Sequence, residues 1–369
     1  MKILVAFGTR PEAIKLCPLV QKLRQNTTFS VEICVTGQHR GMLDQVLKLF
    51  AIVPTYDLNV MQPNQTLAGL TSSILANLDP ILKSSSPDAL IVQGDTTTTL
   101  AAALAAFYNR IPVIHVEAGL RTGDLQRPFP EEINRVLVTR LAALHFAPTA
   151  TAADLLVAEG VSRNAISISG NTGIDSVLWV LDAIETGQLK RPEWPWLDAN
   201  RKLLLVTIHR RENFGHELHG VIQALATLAR REDVQIAIPV HHNPNVSRPI
   251  HEMLGTTPNV HLLEPLSYEC FVDLMRQSCF ILTDSGGVQE EAPSLGKPVL
   301  VLRDKTERPE AVVAGTARLV GTSTQIILRE AKLLLDDPKE FKARTRVHNP
   351  YGDGTACDTI VSILSKHTF

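Results

Sequence analysis

Short, continuous apolar runs recur along the chain, and each gives way to polar or glycine residues and then to a stretch of helical period. Parallel strands buried on both faces produce this pattern. In the first half the runs predict strands at 3–7, 33–36, 89–92, 113–116, 145–147 and 166–169; in the second, at 203–207, 235–239, 261–263, 280–283, 299–302 and 318–320. Between them, stripes such as Leu218, Val221, Ile222, Leu225 and Leu228 mark amphipathic helices that cover a sheet. The expected fold is α/β, with two Rossmann-like doubly wound domains facing across a cleft. The boundaries expected are 1–172 for the first domain and 173–350 for the second, with 351–369 as a closing helix carried by Ile360, Ile363 and Leu364. The breaker-rich stretch 188–200, with Pro192, Trp194, Pro195 and Trp196, reads as an interdomain segment.

A length of 369 residues suits two domains of roughly 150 residues each. With 36 Lys and Arg against 38 Asp and Glu, the net charge of −2 gives no global attraction for nucleic acid or an anionic membrane. An anionic ligand must therefore be held by a local cluster. Five scattered cysteines without a C-x-x-C pair argue against a disulfide framework and a thiolate metal site, and point to the cytoplasm. The N-terminal apolar run is too short for a signal peptide, and nowhere do 18 apolar residues occur together.

In open parallel sheets, ligands bind beyond the carboxyl ends of the strands, so the residues following each run carry the candidate chemistry. After the first run, Gly8-Thr9-Arg10-Pro11-Glu12-Ala13-Ile14-Lys15 puts Arg10 and Lys15 beside a helix N-terminus, where free N–H groups favour an anion and Pro11 suits the first helical position. The string matches neither the dinucleotide fingerprint nor the phosphate loop of nucleotide triphosphatases, so no nicotinamide or ATP is implied. In the second half, Asp284-Ser285-Gly286-Gly287 repeats the strand-to-helix logic, and Glu291 lies about one turn further on, in reach of ribose hydroxyls. Asp95, Glu117 and Glu131 form a set of acids suited to proton transfer, although Asp95 also suits a helix N-cap and Glu131 a first helical turn. His209 and His241 follow strands, and His216-Glu217-Leu218-His219 lacks zinc-site spacing.

Together these strings resemble the bacterial non-hydrolysing UDP-N-acetylglucosamine 2-epimerases. The resemblance rests on the first string, Gly94-Asp95-Thr96, His115-Val116-Glu117-Ala118-Gly119-Leu120-Arg121, Pro130-Glu131-Glu132-Ile133-Asn134-Arg135, His209-Arg210-Arg211-Glu212, the string from Thr283 to Glu291, and Thr306-Glu307-Arg308-Pro309-Glu310. It covers essentially the whole chain. It implies the GT-B arrangement, with the last helix packing back on the first domain, and interconversion of UDP-N-acetylglucosamine (UDP-GlcNAc) and UDP-N-acetylmannosamine (UDP-ManNAc) without a cofactor. It further implies a homodimer that supplies N-acetylmannosamine for surface polysaccharide. By the same resemblance, UDP contacts fall at Arg10, Lys15, Phe271, Ser285, Gly286, Gly287, Glu291 and Arg308, and catalytic roles at Asp95, Glu117, Glu131 and His209. Certain relatives bind a second, activating UDP-GlcNAc; Gln38 and His241 match that site, whereas Gly41 and Asn64 replace longer polar side chains. Gln93 and Leu266 also depart from the family pattern. A glycosyltransferase, a hydrolysing epimerase and a non-catalytic nucleotide-sugar sensor are the rival readings.

Overall fold

The computed structural model describes residues 1–37, 40–62, 64–210, 215–345 and 349–367. They form two compact units, Met1–Trp179 with Tyr351–Phe369, and Val180–Pro350. The first holds a seven-stranded sheet of β1 (Lys2–Phe7), β2 (Ser30–Val35), β3 (Tyr56–Asp57), β4 (Ala89–Gln93), β5 (Val113–Val116), β6 (Ala142–Ala147) and β7 (Ile166–Ile168). The second holds a six-stranded sheet of β8 (Lys202–Thr207), β9 (Val234–Pro239), β10 (Val260–Leu263), β11 (Phe280–Thr283), β12 (Val299–Val301) and β13 (Ala317–Leu319). Every predicted strand is present. The additional strand, β3, is a two-residue edge pairing of Tyr56 and Asp57 with Cys34 and Val35, too short to leave an apolar run.

All strand pairs are parallel, and the orders are β3-β2-β1-β4-β5-β6-β7 and β10-β9-β8-β11-β12-β13. Each sheet grows outward from its first strand and then reverses, between β1 and β4 in one unit and between β8 and β11 in the other. Helices leave the carboxyl ends of those paired strands in opposite directions, which opens a crevice suited to a ligand. The strands are apolar almost throughout because helices cover both faces. On the helix His216–Leu228, Leu218, Val221, Ile222, Leu225 and Leu228 are all buried against the second sheet.

Two local features differ from expectation. The division between units falls between Trp179 and Val180, inside the helix Thr172–Glu185, a few residues beyond the expected boundary. The stretch 188–200 is part of the second unit rather than an interdomain segment: the Trp194 indole donates to buried Asp273 at 2.8 Å, and Trp196 stacks on His261 at 4.4 Å. Those prolines and tryptophans cap one end of a domain. In the first unit the final helix, Ala356–Leu364, is tied down by a Cys357 N–H bond to Asp175 at 2.8 Å and a Lys22–Asp358 ion pair at 2.8 Å.

Candidate active site

In the first unit, the sheet reversal is followed by Gly8-Thr9-Arg10 after β1 and Gly94-Asp95 after β4. Thr9 caps the helix Arg10–Gln25, in a reciprocal capping box with Glu12, so Arg10 is the first helical residue and Pro11 the second rather than the first. Lys15 lies one turn further on, buried, with its ammonium ion-paired to the Glu117 carboxylate. Glu117 itself ends β5 with φ of 60°, a left-handed backbone that bulky L-residues adopt only where the surroundings enforce it.

Asp95 is not a helix cap. Thr96 caps the helix Thr97–Tyr108, accepting from Thr99 N–H at 3.1 Å, which leaves the Asp95 carboxylate for other work. That carboxylate pairs with Arg135 at 2.5 Å, and Asn134 donates to the Asp95 carbonyl at 2.8 Å. Both partners come from the helix Glu131–Leu141, where Glu131 takes the first position, half-buried, with no side-chain cap from Pro130. The next residue, Glu132, accepts the N–H groups of Thr122 and Gly123 at 3.0 Å each and faces Arg135 at 3.3 Å. One helix start thus holds Asp95 from both ends and fixes the loop downstream of Glu117. Below this surface, burial pushes His115 down to about 3 and His145 to about 4, so both are neutral at physiological pH; a His115 ring nitrogen lies 2.7 Å from the Gly94 carbonyl.

The corresponding place in the second unit gathers His209, Arg210 and Arg308 among the acids Asp284, Glu290 and Glu291. His209, after β8, has its Nδ1 2.8 Å from Asp284, which follows β11 and is fully buried. Asp284 also accepts the backbone N–H groups of His209 and Arg210 at 3.0 and 2.9 Å. Burial pushes the Asp284 carboxyl up, and these donors, led by the His209 side chain, more than offset it, holding it below the usual range. With Nδ1 committed to Asp284, Nε2 is the His209 nitrogen available to a ligand. Ser285 precedes the short helix Gly286–Glu291 and makes no side-chain cap bond. A Cβ on Gly286 would sit 3.6 Å from the Arg308 guanidinium and 3.8 Å from that of Arg210, so two cations converge over this turn. Glu290, buried in the same helix, pairs with Arg308, and Glu291 folds back until its carboxylate lies 3.7 Å from where a Gly287 Cβ would be. The Arg210 Nε is buried without a hydrogen-bond partner among the described residues, as suits a group awaiting an anion.

The structure therefore places Arg10, Lys15, Asp95, Glu117 and Glu131 at one sheet reversal, and His209, Ser285, Gly286, Gly287, Glu291 and Arg308 at the other. Phe271 lies half-buried in the helix Tyr268–Gln277 of the second unit. His241 stands 6.4 Å from the His209 ring, its pKa held down by partial burial and by neighbouring His209. Gln38 lies outside the described residues. Arg135, Arg210, Asp284 and Glu290 went unrecognised as candidates although each sits inside a motif string; strand-end position and charge could have flagged Asp284 and Arg210.

A family model described as UDP-N-acetylglucosamine 2-epimerase matches residues 21–365. The chain is 56 % identical over 372 residues to the UDP-N-acetylglucosamine 2-epimerase of Escherichia coli K12, covering 100 % of this chain and 99 % of that one. A crystal structure of the Neisseria meningitidis UDP-GlcNAc 2-epimerase bound to UDP-GlcNAc superposes with a TM-score of 0.94 at 47 % identity, with 100 % of both chains covered. The Methanocaldococcus jannaschii enzyme in complex with UDP-GlcNAc and UDP gives 0.84 at 34 % identity, again over 100 % of both chains. The two-sheet architecture is of the GT-B type that these structures share. With fold, strand-end motifs and full-length identity in agreement, the chain belongs to the UDP-N-acetylglucosamine 2-epimerase family.

Proposed function

We propose that this protein interconverts UDP-GlcNAc and UDP-ManNAc by eliminating UDP and adding it back, without hydrolytic release. The C2 hydrogen of the sugar is not acidic, because no carbonyl adjoins it. Loss of UDP changes that: the C1–O bond breaks with its electron pair going to the diphosphate, a carboxylate takes the C2 proton, and a C1=C2 double bond forms, giving 2-acetamidoglucal. Reprotonation from the opposite face and re-addition of the diphosphate oxygen to C1 give the epimer. The two faces of C2 call for two proton-transfer groups, drawn from Asp95, Glu117 and Glu131.

The observation that carries this reading is that Asp95, Glu117 and Glu131 follow the strands at one sheet reversal, while the Arg210 and Arg308 guanidinium groups meet over the helix start at Gly286 at the other. Arg210, Arg308 and the amides around Ser285 to Gly287 would stabilise charge developing on the departing diphosphate, and the resemblance adds Arg10 and Lys15 as UDP contacts. Retaining UDP beside the glycal makes the return step effectively intramolecular. His209, oriented by Asp284, would serve the diphosphate or a proton path. The resemblance further suggests a cytoplasmic homodimer that feeds polysaccharide synthesis.

A proton NMR time course with UDP-GlcNAc in deuterated water tests the proposal. Epimer formation with deuterium at C2 and no UDP release supports it. Release of UDP with free N-acetylmannosamine means a hydrolysing enzyme; dependence on an added acceptor means a glycosyltransferase; binding without turnover means a sensor. Glu117→Gln should still bind UDP yet lose both epimerisation and C2 exchange, and full activity in that variant refutes the role of Glu117.

A further inference from the structure

Glu12 is buried, 1 % exposed, and has no place in the reaction outlined above. Its Oε2 accepts the backbone N–H groups of Gly8 at 3.1 Å and Thr9 at 2.8 Å. Its Oε1 lies 2.7 Å from Thr96 Oγ1 and 3.2 Å from Thr99 Oγ1. One carboxyl therefore joins the two loops that leave the first sheet at its reversal, the Arg10 loop after β1 and the Asp95 loop after β4.

Counting protons around this junction constrains its charge. Thr99 Oγ1 is 2.6 Å from the Gln93 carbonyl, which can only accept, so the Thr99 hydroxyl proton goes there. The Thr96 proton goes to Glu12, its shorter contact, rather than to Thr99 at 3.1 Å. At 3.2 Å, Glu12 Oε1 and Thr99 Oγ1 are then in ordinary oxygen–oxygen contact, which a proton on Glu12 would turn into a hydrogen bond. Among the described residues, no cation is bonded to Glu12. The charged groups of the junction are Arg10 and Lys15 on its own helix, Asp95 after β4 and Glu117 after β5; Lys15 pairs with Glu117, and Asp95 with Arg135. Burial pushes the Glu12 carboxyl up, only partly offset by Thr9, Thr96 and the two backbone donors.

We propose that Glu12 is a positioning residue that, as a neutral acid, locks the Arg10 loop to the Asp95 loop. Its task is to keep the anion-facing helix start and the Asp95 carboxylate at a fixed separation. The catalytic part of this inference rests on the epimerase reading, whereas the protonation part has a readout independent of activity.

The test compares the full chain with Glu12→Gln, Glu12→Ala and Thr99→Val. An amide stands in for a neutral acid when its oxygen accepts the two backbone N–H groups, its nitrogen donates to the Thr96 and Thr99 hydroxyl oxygens, and the Thr96 proton turns to Thr99 Oγ1, 3.1 Å away. Glu12→Gln should therefore keep kcat within about 3-fold of the parent, while Glu12→Ala should lose about 10- to 100-fold in kcat, exceeding any rise in KM, since misplacement by an ångström costs on that order. Thr99→Val should lose part of the same activity. In urea unfolding, a carboxyl whose folded pKa is raised above the ordinary 4.5 contributes stability below that value and loses it as pH rises through the folded pKa. The parent should match Glu12→Gln near pH 4 and fall behind it by pH 8. The lock is overturned if Glu12→Ala keeps parental kcat, and the neutral acid if Glu12→Gln fails as badly as Glu12→Ala or the parent gains on Glu12→Gln as pH rises. Should Glu12→Ala not fold, Glu12→Gln and Thr99→Val still decide. An inactive parent would count against the epimerase reading alone, because the pH comparison still reports on Glu12.

Discussion

Gly8 ends the run that opens the chain, and replacing it with alanine tests how the first sheet reversal is built. A Cβ at Gly8 would lie 1.9 Å from Thr36 Oγ1 and 2.6 Å from Thr98 Oγ1. Both threonines are buried, and their hydroxyls are hydrogen-bonded to each other at 2.9 Å. An ordinary contact needs roughly 3.5 Å, so Thr36 must rotate away and its bond to Thr98 breaks. Overpacking costs about 1–3 kcal/mol, and stranding a buried hydroxyl costs about 1–3 more. The smaller entropy of the unfolded alanine chain returns about 0.4–1, so a net loss of about 1–6 kcal/mol is expected. With a urea m-value of roughly 2 kcal/mol per molar, the unfolding midpoint of the first unit should fall by about 0.5–3 M. Thr36→Ala removes the obstacle, lets Thr98 swing into the vacated space and should itself cost about 1–2 kcal/mol for the lost hydrogen bond. The double variant should then resemble Thr36→Ala, with a coupling of at least about 1 kcal/mol in a double-mutant cycle. A parental midpoint for Gly8→Ala, or strictly additive losses in the cycle, refutes the reasoning.

Asp284→Asn removes the charge that orients His209 and should lower kcat by about 10- to 100-fold with a smaller change in UDP affinity, measured by steady-state kinetics and calorimetry. Arg210→Met deletes one of two guanidinium groups over Gly286 and should weaken UDP binding by about 10- to 100-fold, one charge-assisted hydrogen bond's worth, in the same calorimeter. Glu307, which accepts from Arg303 at 2.8 Å, is pushed up by burial but held down to about 2 by that guanidinium. Its contribution is thus present above the ordinary 4.5 and lost as pH falls through about 2, so the gap in urea midpoint between parent and Glu307→Gln should close over that window.

The strands were legible because a strand covered on both faces must be apolar along its whole length, and runs such as Ile3 to Phe7 and Phe280 to Thr283 are short and end at polar or glycine residues. The edge strand β3 was not, because its two residues, Tyr56 and Asp57, are too few to leave an apolar run. The strand-end candidates Arg10, Asp95, Glu117, His209 and Ser285 follow from topology, since the sheet order brings strand ends together at the reversals, whereas Phe271 and Arg308 rest on the resemblance alone. Their supports could not be read from the sequence. That Thr96 and not Asp95 caps its helix depends on a backbone turn at Gly94, with φ of 70°, which sequence spacing does not encode. The Arg135–Asp95 pair likewise joins residues that only the sheet order makes neighbours.

The two reversals share one strand order yet pair their charges differently, and the difference lies in the residues just beyond the strand ends. In the first unit each of two acids has a cation, Lys15 for Glu117 and Arg135 for Asp95. In the second, the acids Asp284 and Glu290 are the buried members of their pairs, while His209 is exposed and the Arg210 and Arg308 guanidinium groups meet over Gly286. Asp95, His209 and Arg308 are the more exposed members of their pairs, whereas Glu117 is as buried as Lys15. A net charge of −2 is what remains when both signs are deployed locally. Exchanging one charge within a pair, as in Lys15→Met or Glu290→Gln, should therefore disturb the reaction more than any change in overall charge at exposed positions such as Lys83 or Arg248.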